Sequence, residues 1–146
     1  AWVQWDQTIA RAKQTITPML EEPGVLITQG FIGSSSENFT TTLGREGSDY
    51  SAAIFAHCLD AESMTVWKDV AGVLNADPKI FDNVIRLDRI SYKEAIEMTY
   101  YGARVIHLKT VKPLQNKNIP LYIKSYLQPD DPGTCISGDV DERLPV

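Results

Sequence analysis

Apolar residues recur at helical spacing from the start of the chain. Trp5, Ile9, Ala12, Ile16 and Met19 share one stripe, closed by Pro18 and the Glu21-Glu22-Pro23-Gly24 cluster, which predicts an amphipathic first helix. Val25 to Thr28 is a short apolar run that predicts a buried strand, ending in a Gly- and Ser-rich loop over Gly30 to Asn38. A strand running into a glycine loop is a usual place for a ligand in α/β folds. Tyr50 to Leu59 (YSAAIFAHCL) is apolar almost all round, so it predicts a helix buried between a sheet and another layer.

Met64 to Trp67 predicts the next strand, and Asp69 to Pro78, with Gly72 and an Asn-Ala-Asp-Pro turn, a loop or hairpin. Ile85 to Ile90 alternates weakly and fits a strand. Ser91 with Glu94 forms a capping-box pair ahead of a helix to Tyr101, with Gly102 as its C-cap. A brief extended step at Val105 to Ile106, a helix over Leu108 to Gln115 despite Pro113, and a final strand over Leu121 to Ser125 complete the reading. Alternating strands and helices predict an α/β layer fold with a mainly parallel sheet.

The chain of 146 residues is long enough for one domain that buries roughly 70% of its unfolded surface. A net charge of -5 leaves no basic footprint for nucleic acid. No apolar stretch approaches the roughly 18 residues needed to span a bilayer, and no signal peptide is visible at Ala1, so the chain reads as cytoplasmic. Cys58 and Cys135 make neither a disulfide framework nor a zinc spacing and read as reduced, structural residues. The absence of an initiating Met reads as a piece of a longer polypeptide.

Candidate chemistry concentrates in Thr40 to Ala53 (TTTLGREGSDYSAA). Gly44 and Gly47 free the backbone for positive φ and close approach, and Ser48 or Asp49 can cap the following helix. The first-turn N–H groups of that helix favour an anion, and Arg45 adds a planar fork suited to carboxylate or phosphate. Asp49 repels such a ligand unless a cation lies between them, which points to a lysine or a magnesium ion as intermediary. Taken alone, the same residues also read as an ordinary capped helix start.

The order of residues adds to this. TTTLGREGSDYSA closely resembles the signature of aspartokinases in the amino acid kinase family, and GFIGSSSENF resembles the segment that precedes it there. The resemblance continues through VWKDVAGVLNADPK (Val66 to Lys79), ISYKEAIEMTYYGARVIHLKT (Ile90 to Thr110) and NIPLYIKSYLQPDDPGT (Asn118 to Thr134), from about Val25 onward. It implies a three-layer αβα sandwich of the amino acid kinase (carbamate kinase-like) type, present in part: residues 1–137 as the C-terminal, nucleotide-binding part of the catalytic domain, and residues 138–146 as a linker toward regulatory domains. It implies transfer of the γ-phosphoryl group of ATP to the side-chain carboxylate of L-aspartate, with Mg2+, as the first step toward lysine, threonine and methionine.

By the same resemblance, Asp49 would organise the phosphate-binding lysine and the transition state, while Arg45 and Ser48 bind aspartate. Gly30, Gly33, Lys68, Asp69, Leu74, Lys79, Arg104 and Val105 would contact the nucleotide. His107 and His57 read as structural, and no metal-ligand cluster is visible. The chain departs from the family pattern at Glu46 (usually glycine), Asn38 (a loop glycine), Lys68 (threonine), Leu74 (tyrosine), Arg104 (lysine) and Leu108 (proline). The family's Lys-Phe-Gly-Gly-Thr element and its regulatory ACT domains are not in the sequence, so the resemblance implies that these are supplied by the rest of a homo-oligomeric protein and that this piece alone lacks turnover. Other amino acid kinases, or a non-catalytic nucleotide-binding module of the same fold, are the alternative readings.

Overall fold

Burial of the apolar stripe accounts for the first helix, α1 (Trp5–Leu20), in the computed structural model, which describes residues 2–100 and 106–138. Ala12 is buried, and half-buried Trp5, Ile9 and Ile16 pack around Ile54 and Cys58 of α2 (Gly47–Cys58). Pro18 falls in the last turn, where the lost intrahelical bond matters least. Helix α2 faces two ways, as its sequence predicts: Ile54 and Cys58 meet α1, while Ala53 and Ala56 meet the sheet core.

That sheet contains β3 (Met64–Lys68), β4 (Arg89–Ser91), β5 (Leu121–Ser125) and β6 (Thr134–Ser137) in the order β3-β5-β6-β4. The β3/β5 and β4/β6 pairs are parallel and the β5/β6 pair antiparallel, with Met64 opposite Leu121 and Leu121 opposite Ile136. The fold is therefore α/β with a mixed, mostly parallel sheet, as expected. Alternation along the strands sends Met64, Val66, Ile90, Leu121, Ile123 and Ile136 to one face, where they share a core with α3 (Tyr92–Tyr100) and α4 (Leu108–Asn116). The helices among the described residues thus cover one face; on the strands' alternate positions, Trp67 is exposed with the Lys124 ammonium 5.3 Å from its ring centroid.

The capping box before α3 is present in both directions. The Ser91 N–H donates to Glu94 Oε2 at 2.7 Å, and the Glu94 N–H donates to Ser91 Oγ at 3.1 Å. Tyr101, Gly102 and Val105, the expected helix end, C-cap and extended step, lie outside the described residues. Helix α4 forms despite Pro113, and the carbonyl that loses its donor belongs to exposed Lys109 in the first turn. Cys58 and Cys135 are both free thiols.

Three sequence expectations need correction. Val25 to Thr28 is not a buried strand: Val25 and Ile27 are 89% and 88% exposed, because no strand among the described residues pairs with the run. The Gly30 to Asn38 loop and the Thr40 turn contain an antiparallel hairpin instead, β1 (Ile32–Ser34) with β2 (Thr40–Thr42), in which Ile32 faces Thr42. Its turn uses Asn38 at φ 63° and a Phe39 N–H bond to Ser35 Oγ. Finally, Leu121–Ser125 is followed by one more strand, β6. The weakly alternating Ile85 to Ile90 run narrows to a bridge between Leu74 and Arg86 and to β4. The expected linker lies outside the described residues from position 139 onward.

Candidate functional site

The β1/β2 hairpin delivers the chain to the N-terminus of α2 and folds back over it. The Leu43 N–H donates to the Phe31 carbonyl at 2.8 Å, the Phe31 N–H donates to Ser51 Oγ at 2.9 Å, and Ser51 Oγ donates to the Gly47 carbonyl at 2.9 Å. Two glycines permit this approach. A Cβ on Gly30 would sit 3.0 Å from Ser48 Cα, and one on Gly47 would sit 2.7 Å from the Phe31 ring.

Helix α2 starts earlier than the sequence suggests. Glu46, at φ 53°, is its N-cap and makes no side-chain capping bond, so Ser48 and Asp49 are helical residues of the first turn rather than caps. The Gly47 N–H bonds back to the Gly44 carbonyl and the Tyr50 N–H to the Glu46 carbonyl. Among the described residues the N–H groups of Ser48 and Asp49 make no such bond back to the turn, which places two donors at the positive end of the helix dipole.

Across from this turn stands the end of β3. Lys68 Nζ donates to Asp49 Oδ2 at 2.8 Å, with the two side chains only 24% and 18% exposed. The strand end is itself fixed, since the Lys68 carbonyl accepts from the Tyr126 N–H at 3.0 Å. An open helix N-terminus beside the carboxyl end of a parallel strand is where α/β folds bind anionic ligands. Arg45 and Ser48 are exposed in the same turn, and Gly33 lies in β1 opposite Thr41.

The remaining nucleotide candidates lie on the excursion after β3. Asp69 is exposed directly beyond Lys68, Leu74 is half-buried in its bridge to Arg86, and exposed Lys79 donates its N–H to Asp77 Oδ1. The structure thus joins Asp49 to Lys68, while among the described residues Asp69, Leu74 and Lys79 make no hydrogen bond or ion pair to that pair. Arg104 and Val105 lie outside the described residues. A residue that sequence reasoning missed anchors the excursion: buried Thr134 accepts from the Val73 N–H at 2.8 Å and donates to the Leu87 carbonyl at 2.6 Å. Arg86 pairs with Asp88 and Asp131, and the Gly133 N–H bond, aided by the Arg86 charge, holds the Asp131 carboxyl below its ordinary range.

Both histidines are structural, as expected. His57 Nδ1 lies 2.8 Å from the Pro113 carbonyl, so it is the protonated nitrogen that donates, and the ring packs on Trp5. His107 caps α4 by accepting the Lys109 N–H at Nδ1, a role outside the usual N-cap residue set. Among the described residues no group of three or more His, Cys, Asp or Glu could hold a metal ion, and no helix is long and apolar enough to cross a membrane. Mg2+ commonly needs only one or two carboxylates plus the phosphates of a nucleotide, and Asp49 and Asp69 are two carboxylates close to Lys68, one paired with it and one next to it in the chain.

Glu46 carries a testable strain. Its residue type disfavours φ 53°, and one carboxylate oxygen is buried without a partner. Glu46→Gly is expected to stabilise the chain by about 1 kcal/mol, read from urea unfolding. A net loss would mean that the side chain's packing outweighs the strain.

A mostly parallel sheet whose strand end meets an open helix turn across a lysine–carboxylate pair defines an α/β protein suited to handling phosphate. Residues 5–125 match the amino acid kinase family, and the chain belongs to that family. Its similar relatives include aspartokinases and bifunctional aspartokinase/homoserine dehydrogenases. It is 43% identical over 121 residues to lysine-sensitive aspartokinase 3 of Escherichia coli strain K12, covering 83% of this chain and 27% of that protein. It is 45% identical over 111 residues to the chloroplastic bifunctional aspartokinase/homoserine dehydrogenase 1 of Zea mays, covering 76% and 12%. The crystal structure of E. coli aspartokinase III in complex with aspartate and ADP superposes with a TM-score of 0.85 at 40% identity, covering 92% of this chain and 31% of that one. The chain therefore spans about a quarter of the first relative's length and about an eighth of the second's.

Proposed function

We propose that this chain is the nucleotide-binding part of an aspartate kinase catalytic domain. The observation that carries the reading is the half-buried Asp49–Lys68 pair beside the open first turn of α2. In the reaction the side-chain carboxylate of L-aspartate attacks the γ-phosphorus of ATP, the bond to the β,γ-bridging oxygen breaks, and 4-phospho-L-aspartate and ADP leave. The nucleophile is ionised at neutral pH, so catalysis reduces to positioning and charge neutralisation.

Each residue then has a physical task. The exposed Arg45 fork and Ser48 hold aspartate, and Asp49 organises a cation next to the phosphates. Gly30 packs on the first turn of α2 at Ser48 and Gly33 on Thr41, which sets the loop backbone beside the phosphates. Asp69 accepts from a ribose hydroxyl, Leu74 packs on the nucleoside, and Lys68 and Lys79 meet phosphate oxygens; Arg104 and Val105 complete this set. Mg2+ held between the nucleotide phosphates and the carboxylates of Asp49 and Asp69 would supply charge neutralisation for the transferred group. The 146 residues contain no Lys-Phe-Gly-Gly-Thr element, which the resemblance makes a phosphate contact of the family, so they are expected to bind nucleotide without turnover.

Calorimetric titration with magnesium ATP tests the reading. Binding that Asp69→Ala and Lys79→Ala each weaken by roughly three- to tenfold is expected, the scale of one ordinary solvent-accessible hydrogen bond, about 0.7–1.4 kcal/mol. Affinity unchanged in both variants would remove the nucleotide from this excursion. Aspartyl phosphate formed by the pure chain would overturn the assignment of a partial domain.

A further inference from the structure

We propose that the Arg86–Asp131 ion pair is a latch that aims the excursion between β3 and β4, and with it Leu74, at the bound nucleoside. The inference rests on the nucleotide-binding reading above and adds two positioning residues to it. Its starting point is how little of the excursion is attached. Asp77 to Asn83 is exposed throughout, with Ile80 at 73% and Phe81 at 57%, so burial against the sheet does not hold that stretch in place.

The two limbs of the excursion form a short antiparallel ladder. The Leu87 N–H donates to the Val73 carbonyl at 2.8 Å and the Asn75 N–H to the Ile85 carbonyl at 3.0 Å, with Leu74 and Arg86 facing each other between them. Thr134 seats the inner end, at Val73 and Leu87. A single seat is a pivot, which fixes where the ladder starts and leaves its tilt free. Among the described residues Arg86 makes the second hydrogen-bonded attachment. Its Nη1 donates to Asp131 Oδ1, and the same oxygen accepts the Gly133 N–H at 2.8 Å, so the carboxylate is itself tied to the connection between β5 and β6. The arginine stem lies against the other limb, where a Cβ on Gly72 would stand 3.0 Å from Arg86 Cδ. Two points of attachment set a direction.

Exposure tells which of the two carboxylates on Arg86 matters. The side chains of Arg86 and Asp131 are 25% and 29% exposed, whereas Asp88, which accepts from Nε and Nη2, is 76% exposed. The Asp131 contact is the screened one, where a charge-assisted bond keeps its strength. Leu74 is the residue most sensitive to the tilt, because it is bridged directly to Arg86 and has only dispersion to offer a nucleoside. A gap of roughly 0.5–1 Å already forfeits a quarter to a half of that attraction. Lys79, farther out on a long flexible stem, can follow a phosphate through the same tilt. The latch therefore acts through Leu74, by holding its contact in place before a ligand arrives.

The test is a calorimetric titration of the full chain with magnesium ATP, as wild type, Arg86→Met, Asp131→Asn, Leu74→Ala and the Leu74→Ala/Arg86→Met double variant. Arg86→Met and Asp131→Asn are each expected to weaken binding by roughly three- to tenfold. The first removes a positive charge and the second a negative one, so a long-range charge effect alone would shift the affinity in opposite directions. On a Leu74→Ala background, Arg86→Met should lose no more than about a further twofold, since the contact it aims is already gone. Asp131→Asn keeps an acceptor for the Gly133 N–H and carries the test should Arg86→Met not fold. Without ligand, exchange of the Asn75 amide should quicken by at least about tenfold in both variants while the β5 amides keep wild-type protection. Affinity that falls only in Arg86→Met, an unchanged affinity in both, an undiminished loss on the Leu74→Ala background, or an Asn75 amide as protected as in the wild type each overturns the latch while the nucleotide site stands. A wild type that binds no ATP overturns both.

Discussion

Gly133→Ala is expected to lower the stability of the chain by about 3 kcal/mol or more, seen as a fall of roughly 10 °C in the thermal midpoint. Gly133 has φ +69°, and a Cβ placed on it would stand 2.1 Å from the carbonyl oxygen of Ile123. That neighbour is backbone in the middle of β5, so no rotamer change can relieve the overlap. The two strands must separate where Ile123 pairs with Thr134, in the buried centre of the sheet. Gly24→Ala is the matched control, since Gly24 also has positive φ but meets nothing within 4 Å. Equal midpoints for the two alanine variants would show that the β5–β6 connection can re-form around the extra methyl group.

Thr134→Val is expected to cost about 2–4 kcal/mol although it conserves volume. The hydroxyl is fully buried and serves two backbone groups at once, the Val73 N–H and the Leu87 carbonyl. Valine leaves both without partners, and each stranded buried group carries a penalty of roughly 1–3 kcal/mol. The damage should be local before it is global. Gly72, at φ +144°, places its Cα so close to Thr134 that a Cβ would be 2.5 Å from Oγ1, so the start of the excursion has no alternative seat. Hydrogen exchange at the Val73 amide should accelerate by at least tenfold beyond the change in global stability. An amide still protected as in the wild type would mean that water or a shifted carbonyl replaces the hydroxyl.

What could be read from the sequence were the elements whose signals are local. The α1 stripe, the two-faced apolar run of α2, and the Ser91/Glu94 box each carry their own period or cap, and all three are observed. Strands β1, β2 and β6 escaped because three or four residues such as Thr40–Thr42 or Thr134–Ser137 hold too few alternations to differ from a loop. Val25 to Thr28 failed in the opposite direction. Its apolar residues resemble a buried strand, but burial is decided by a neighbour in space, which no local pattern reveals.

The same division holds at the site. The sequence argument that Asp49 requires an adjacent cation anticipated a lysine or a metal, and the structure sets Lys68 against it from a strand that is distant along the chain. The choice of Ser48 or Asp49 as helix cap was wrong because Glu46 takes a left-handed conformation and starts the helix two or three residues early. Thr134 gave no warning at all, since a buried threonine bridging two backbone groups looks in sequence like any other.

The connectivity of the sheet also orders its assembly. Strands β5 and β6 meet through the short segment 126–133, whereas the parallel β3/β5 pair must close over residues 69–120. By loop-closure entropy the longer ring costs about 1.5–2 kcal/mol more to form. Loop closure therefore favours pairing of the antiparallel centre before β3 with Lys68 is added. The Asp49–Lys68 contact comes into being only when that addition is complete. A ligand that bound across it, as proposed above, would favour the closed sheet edge over the open one by mass action.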